Sequence, residues 1–359
     1  MDNKDLRIEQ ADTREKYEGL RDLWCRVFGD EPGYVDAMYE AFGDDIRGYV
    51  IRDDAGKTLS ALTCYRCGHY SSDADASSLN GLEVYVSYAI CTDPDYRGQG
   101  LAGRLVEYVK DMVTAGGAVS IVSPAERSLV KFYEGLGYSQ HFFASEGTAY
   151  SQNTLLMDEY EPDIDDSLDI EVLSDAQIDA ELRRLAVLFG DDDDEIEPFD
   201  PGISVLPVDA SMYNIYREAF LTDIPHVSLT DKMLKFVRMD SLNSDGLLVI
   251  NGGDAICTAE DTGEGLKIRE LIINPMLTEY STEIDEEIAS RLADHLRASR
   301  LDYRTPGAGY CQTMIAAPAG VLDEDCRKEA TDRSAELADN DDDFGRMEDV
   351  PPYYGFPIE

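Results

Sequence analysis

Residues 86–105, VSYAICTDPDYRGQGLAGRL, constrain the local chain path more tightly than any other stretch. An apolar run long enough for a buried strand meets an Asp-Pro turn, a glycine-bearing loop and then a helical pattern. The loop is Arg97, Gly98, Gln99, Gly100, Leu101 and Ala102, and the helical stripe is Leu101, Leu105, Val109 and Met112. Two glycines let the backbone curl until successive N–H groups share one concavity. The start of the following helix adds unpaired N–H groups and the positive end of its dipole. Such a site binds phosphate or pyrophosphate, and Arg97 can add a two-pronged contact to the same oxygens. The plainer alternative is a turn in which glycine only relieves strain. The apolar strand, the clean helical stripe and the arginine together favour the phosphate reading. No Gly-Lys-Ser/Thr follows, and the glycine spacing is not that of a dinucleotide fingerprint.

With 359 residues the chain has room for about two domains. Apolar positions at Leu20, Leu23, Trp24, Val27 and Phe28, then Tyr34, Met38 and Phe42, predict two helices broken by GDEPG at 29–33. Strands are expected at 48–52, 58–67, 82–92 and 119–122, and helices from the loop to 114 and over 126–136. Residues 158–204 are acidic and loosely patterned, with GDDDDEIEPFDPG at 190–202 and one helical stretch at 176–189. They read as a linker between a first domain, 1–157, and a second, 205–359.

The second half repeats the first half's order faintly. A helix pair is expected at 211–221 and 229–239, strands at 247–250, 255–259 and 266–273, a helix at 284–300 and a further strand from Tyr303. Its counterpart of the phosphate loop, residues 276–287, has no glycine and carries Glu279, Glu283, Asp285, Glu286 and Glu287. Five carboxylates repel pyrophosphate, so this half is expected to support the first or to shape an acceptor pocket.

Charge excludes some partners. With 31 basic and 74 acidic residues the net charge is −43, which disfavours nucleic acid and anionic membranes. Solubility or an acidic, salt-adapted setting accounts for it first, and attraction of a cationic amine second. The polar start is no signal peptide, and no apolar run approaches the roughly 18 residues of a membrane helix. Seven scattered cysteines suit a reducing compartment, so a cytoplasmic protein is expected.

The loop resembles the acetyl-CoA loop of the GCN5-related N-acetyltransferases, Arg/Gln-x-x-Gly-x-Gly/Ala, through Arg97, Gly100 and Ala102. A second family element resembles residues 123–138, SPAERSLVKFYEGLGY, with Tyr133, Gly137 and Tyr138 in register. Glu126 and Leu129 stand where that element usually has Asn and Ala. The resemblance spans about the first 150 residues. It implies an α/β fold, a mixed central sheet flanked by helices, in two tandem copies of which the second is degenerate. It also implies acetyl-CoA as donor and direct transfer of the acetyl group to a primary amine of a small molecule or peptide.

Such transfer needs a polarised thioester carbonyl, a neutral amine and a proton for the departing thiolate. The resemblance assigns the first task to backbone at a bulge formed by Ile90, Cys91 and Thr92, and the proton to Tyr133. Tyr133 also fits a core stripe with Leu129, Phe132 and Leu136. The base is open among Glu83, near the start of the long strand, the C-terminal Glu359 by analogy with multi-acetylating aminoglycoside-modifying relatives, and a water relay.

Cys64, Cys67 and His69 hint at zinc, but strand alternation points the two cysteines to opposite faces. His69, His141, His226 and His295 have no triad-like setting and read as structural or surface groups. The competing functions are a non-catalytic acyl-CoA sensor and a tandem-domain aminoacyl transferase. The acceptor depends on the helix-pair loop near 28–34 and on the second half.

Overall fold

A computed structural model describes residues 6–72, 77–151, 203–241, 246–262, 266–278, 284–322 and 351–355. The first half runs β1 (Ile8–Gln10), α1 (Arg14–Phe28), α2 (Pro32–Phe42), β2 (Ile46–Arg52), β3 (Thr58–Ser71), β4 (Glu83–Thr92), α3 (Leu101–Ala115), β5 (Val119–Val122), α4 (Val130–Gly135) and β6 (Ser139–Tyr150). The second runs β7 (Val205–Pro207), α5 (Ala210–Phe220), β8 (His226–Leu229), α6 (Asp231–Asp240), β9 (Leu247–Ile250), β10 (Ala255–Asp261), β11 (Leu266–Ile273), α7 (Pro275–Thr278), α8 (Ile284–His295), β12 (Arg300–Pro306) and β13 (Tyr310–Ala316). Among the described residues no helix is long and apolar enough to cross a membrane.

The expected mixed sheet flanked by helices is present. Among the described residues thirteen strands form one sheet in the order β1-β2-β3-β4-β5-β13-β6-β12-β11-β10-β9-β7, with β8 paired to β3. Helices α1, α2, α5 and α6 cover one apolar cluster around Trp24, Phe42, Tyr65, Tyr213 and Phe236. Helices α3 and α4 cover a second around Leu105, Val109 and Tyr133, and α8 covers a third around Leu292 and Ile268.

The halves share their strands. β13 lies between β5 and β6, and β6 pairs onward with β12. β8, which interrupts the expected helix pair, adds to the far end of β3. At that seam Gly68 has no room for a side chain, since a Cβ would lie 1.9 Å from the Ser228 carbonyl oxygen. Strands from both sides of the sequence division at 157 and 205 thus lie in one sheet. The linker helix expected at 176–189 lies outside the described residues.

Three local expectations need correcting. Met112 is 37% exposed, and Val106 and Val113 complete the buried face of α3. The helix expected over 126–136 is a 3₁₀ turn, Arg127–Leu129, followed by the six-residue α4. Helix α8 stops at His295 because Arg297 adopts φ 56° and turns the chain into β12.

Candidate active site

β4 and β5 run parallel over only Val84–Val86 against Val119–Ile121 and then part. Just past the parting, the register between β3 and β4 slips: Thr63 pairs with Tyr88, whereas Ala61 pairs with Cys91. Ala89 and Ile90 thus form a bulge, and Ala89 adopts φ 49°, an uncommon conformation for a residue with a Cβ. The bulge re-aims the edge of β4 toward the space vacated by β5.

That space is a cavity of about 650 Å³. Ser87, Tyr88, Ala89 and Ile90 wall it from β4, and Ser123, Pro124 and Ala125 from the chain after β5. Tyr133 enters from α4, Phe28 and Asp30 from the α1–α2 turn, and Arg304, Tyr310 and Gln312 from the second half. The cavity exists because β13 fills the sheet beyond the point where β5 ends.

The turn after α1 is built to present Asp30. Gly29 closes the helix in the left-handed conformation, and the buried Trp24 donates its indole N–H to Asp30 Oδ2 at 2.6 Å. Phe28, at the start of the 28–34 loop, is 51% exposed at the cavity mouth. Tyr88 packs edge-on against Trp24 at 5.3 Å, and burial, reinforced by the Asp30 charge, pushes its phenol up to about 12.

On the opposite wall Glu146 Oε1 accepts from Tyr310 at 3.0 Å and from Arg304 at 3.2 Å. The same Glu146 and Arg304 also line a second, more open cavity of about 1040 Å³ with Lys267, Arg297 and Arg300.

Tyr133 is buried to 6% exposure and is at the cavity wall. Burial alone pushes its phenol up to about 12, so it holds its proton at neutral pH. Ile90 lines the cavity, while Cys91 is 3% exposed and burial pushes its thiol up to about 12, away from nucleophilic use. The Cys91 carbonyl and the Thr92 hydroxyl are joined to Ser60 at 2.8 and 2.9 Å.

Beyond Thr92 a rigid corner leads to the loop. Asp93 Oδ1 caps the Asp95 N–H at 3.1 Å, and Oδ2 meets Arg26 at 3.0 Å and Lys57 at 2.9 Å. The Lys57 hydrogen bond leads in holding this carboxyl below its ordinary range. Gly98 and Gly100 both take left-handed φ, 75° and 76°, and no heavy atom lies within 4 Å of a Cβ at either. Arg97, Gly98, Gln99 and Gly100 are exposed, Leu101 anchors the loop in the core, and Gly100 opens the fifteen-residue α3. This cradle, at a long helix's N-terminus and continuous with the bulged strand, fits a pyrophosphate and the extended arm attached to it.

The structure does not gather every expected residue. Glu83 is at the far end of β4, 54% exposed, ion-paired with Arg66 at 3.4 Å and accepting from Tyr85 at 3.2 Å. It does not line the cavity. Glu359 lies outside the described residues. The nearby segment 351–355 is anchored in the core: Tyr353 and Tyr354 are fully buried, and Phe143 N–H donates to Pro352 O at 2.8 Å. Cys64 and Cys67 belong to different apolar clusters on opposite faces of β3, and His69 is exposed. In the second half Asp285, Glu286 and Glu287 occupy the first turn of α8, where they meet the helix dipole in the place a phosphate would take.

Asp30, Glu146, Arg304, Tyr310 and Gln312 were not singled out by sequence reasoning. Only the 28–34 turn and the second half as a whole were flagged as bearing on the acceptor. No local motif marks these side chains.

Comparison with known proteins agrees with this geometry. Residues 44–140 match the family model described as an acetyltransferase (GNAT) domain. No curated protein matches the chain. Among solved structures, a conserved protein from Enterococcus faecalis V583, described as a probable N-acyltransferase, superposes with a TM-score of 0.55 at 12% identity. That likeness covers 87% of this chain and 72% of that one. A GCN5-related N-acetyltransferase from Anabaena variabilis ATCC 29413 superposes with a TM-score of 0.50 at 16% identity, over 83% of this chain and 66% of that one. Both likenesses are of fold, and the chain spans just under two thirds of the Anabaena protein's length.

Proposed function

We infer, from the premise that residues 44–140 belong to the GNAT acetyltransferase family, that this chain transfers an acetyl group from acetyl-CoA directly to an amine. The observation that supports this most is the continuity of bulge, cavity and cradle along one stretch of chain, from Ser87 in β4 to Gly100 at the start of α3. The donor supplies an activated acyl group on a good leaving thiol. The loop from Arg97 to Ala102 binds its pyrophosphate through backbone N–H groups and the Arg97 guanidinium. The exposed backbone edge at Ala89–Ile90 orients the acyl end and polarises its carbonyl. Tyr133, held protonated by burial, gives its proton to the departing thiolate.

The amine enters from the side of Asp30 and Glu146, two carboxylates that favour a cationic acceptor. For the base, Glu83 is committed to Arg66 outside the cavity, which leaves Glu359 and a water relay as the candidates. The domain division at 1–157, 158–204 and 205–359 is proposed to be one of roles: donor binding first, acceptor wall second.

Release of free thiol from acetyl-CoA, followed with a panel of amines, tests the reaction. Amine-dependent release at a steady rate is expected. Tight CoA binding with no release by any amine would point instead to an acyl-CoA sensor. In the same assay, loss of kcat on deleting Glu359 with Glu83→Gln silent is expected; the reverse pattern would return the base to Glu83, and silence in both would leave water.

A further inference from the structure

Gln312 occupies the one place where β13 is paired on neither side. On the β6 side Cys311 pairs with Phe143 and Thr313 with Phe142, so Gln312 is skipped in the register. On the β5 side pairing begins only at Met314 with Val122, where β5 ends. The strand therefore bulges at the mouth of the β4–β5 parting. Thr313, the next residue, is tied to Ser123 through their hydroxyls at 2.6 Å, which fixes the bulge against the cavity floor.

The side chain of Gln312 is only 4% exposed and lines the cavity. Neither its Oε1 nor its Nε2 meets a hydrogen-bond partner among the described residues. A buried amide left with both functions unpaired is costly, and native proteins rarely keep one without a use. The neighbouring polar groups have their own pairings: Glu146 with Tyr310 and Arg304, Asp30 with Trp24. Gln312 is thus a donor and an acceptor, coplanar and adjacent, held ready on the acceptor wall.

We propose that Gln312 determines acceptor specificity by pairing with a primary carboxamide of the acceptor, so that the substrate class is an amine carrying a carboxamide near its amino group. This rests on the acyl-transfer reading of the cavity. A primary carboxamide offers its C=O and one N–H side by side on one edge, the complement of what Gln312 presents, whereas a trans peptide unit points the two in opposite directions. A single hydroxyl cannot lie in line with both atoms. A site built to pair such a group discriminates strongly against analogues lacking it, because the buried amide is then left unsatisfied. The carboxylates of Asp30 and Glu146 receive the ammonium, and Gln312 reads the adjacent amide.

The test compares 3-aminopropanamide with 3-aminopropanol and n-butylamine on the full chain. Binding is measured by calorimetry with CoA present, and turnover by thiol release. The parent is expected to bind the amide at least about tenfold more tightly than either analogue, the size of a lost hydrogen bond to a buried group. Gln312→Met, close in shape, is expected to remove that preference while CoA affinity stays as in the parent. Gln312→Asn keeps an amide but withdraws it by one carbon, and is expected to lose the preference too; it serves if the Met variant does not fold, as judged by thermal melting. Equal binding of all three amines by the parent, preference for the alcohol, or an undiminished amide preference in both variants would overturn the assignment. Amide-selective binding without any thiol release would uphold Gln312 while removing the acetyl-transfer reading.

Discussion

Arg217 and Glu270 sit 3.2 Å apart with neither side chain exposed to solvent. Glu270 also accepts from Tyr213 at 2.9 Å, and Arg217 donates to the carbonyls of Val227 at 2.8 Å and Tyr354 at 2.9 Å. One ion pair thereby fastens α5, β11, β8 and the 351–355 segment together. Its position holds the 351–355 segment in the core.

Removing one member of a buried pair strands the other charge, which typically costs about 3–5 kcal/mol. Arg217→Met is expected to destabilise the protein by that amount in urea unfolding. Replacing both, Arg217→Met with Glu270→Leu, is expected to recover much of the loss, since no charge is then left buried. A single variant as stable as the parent would show that the pair is not what holds this segment.

Gly100→Val tests the cradle. The protein leaves open space at this position, but a β-branched residue at φ 76° is strained by roughly 1–3 kcal/mol, and its side chain projects where phosphate oxygens are proposed to sit. The variant is expected to fold with a modestly lower melting temperature and to lose CoA binding in calorimetry. Unchanged affinity would remove the loop from the donor site.

Tyr133→Phe keeps the ring and its packing but removes the proton. The expected result is parent-like CoA affinity with kcat lower by roughly 10²-fold. Burial pushes this phenol up to about 12, and an acid acts in its protonated form below its pKa. The parent's kcat is therefore expected to show no decline from Tyr133 as pH rises from about 7 to 11. A falling limb near pH 9 would assign the proton to another group.

Glu218 links α5 to β8 and predicts an acid sensitivity. Burial works against its charge, yet hydrogen bonds from His226 and Ser228 outweigh it and lower the carboxyl from 4.5 to about 2. Because the folded-state value is depressed, the stabilisation is present above pH 4.5 and is lost as pH falls toward 2. Glu218→Gln is expected to flatten the melting-temperature profile across that window relative to the parent. Parallel profiles would show that the group titrates alike in folded and unfolded chains.

The parts of this protein that depend on short-range chemistry were readable in the sequence. Gly98 and Gly100 mark a cradle because positive φ is a local steric demand, and the structure gives both that conformation. Strands 119–122, 247–250 and 266–273 were expected within the bounds observed, since each is a compact apolar run. Tyr133 was open between core and cavity, and it is both: 6% exposed, and part of the cavity wall.

What the sequence by itself determined, then, is the proposed donor side: a strand, a glycine loop and a helix whose shape follows from residues adjacent in the chain. The proposed acceptor side was decided by tertiary structure. Strand pairing is chosen by non-local burial, and YCQTMIA carries no signal that β13 will enter between β5 and β6, nearly 200 residues away in sequence. That insertion brings Gln312 and Tyr310 to Ser87, Asp30 and Tyr133, and β12 adds Arg304 from beyond β6. Gln312, Tyr310 and Arg304 belong to no local motif, and only the assembled sheet brings them to one wall.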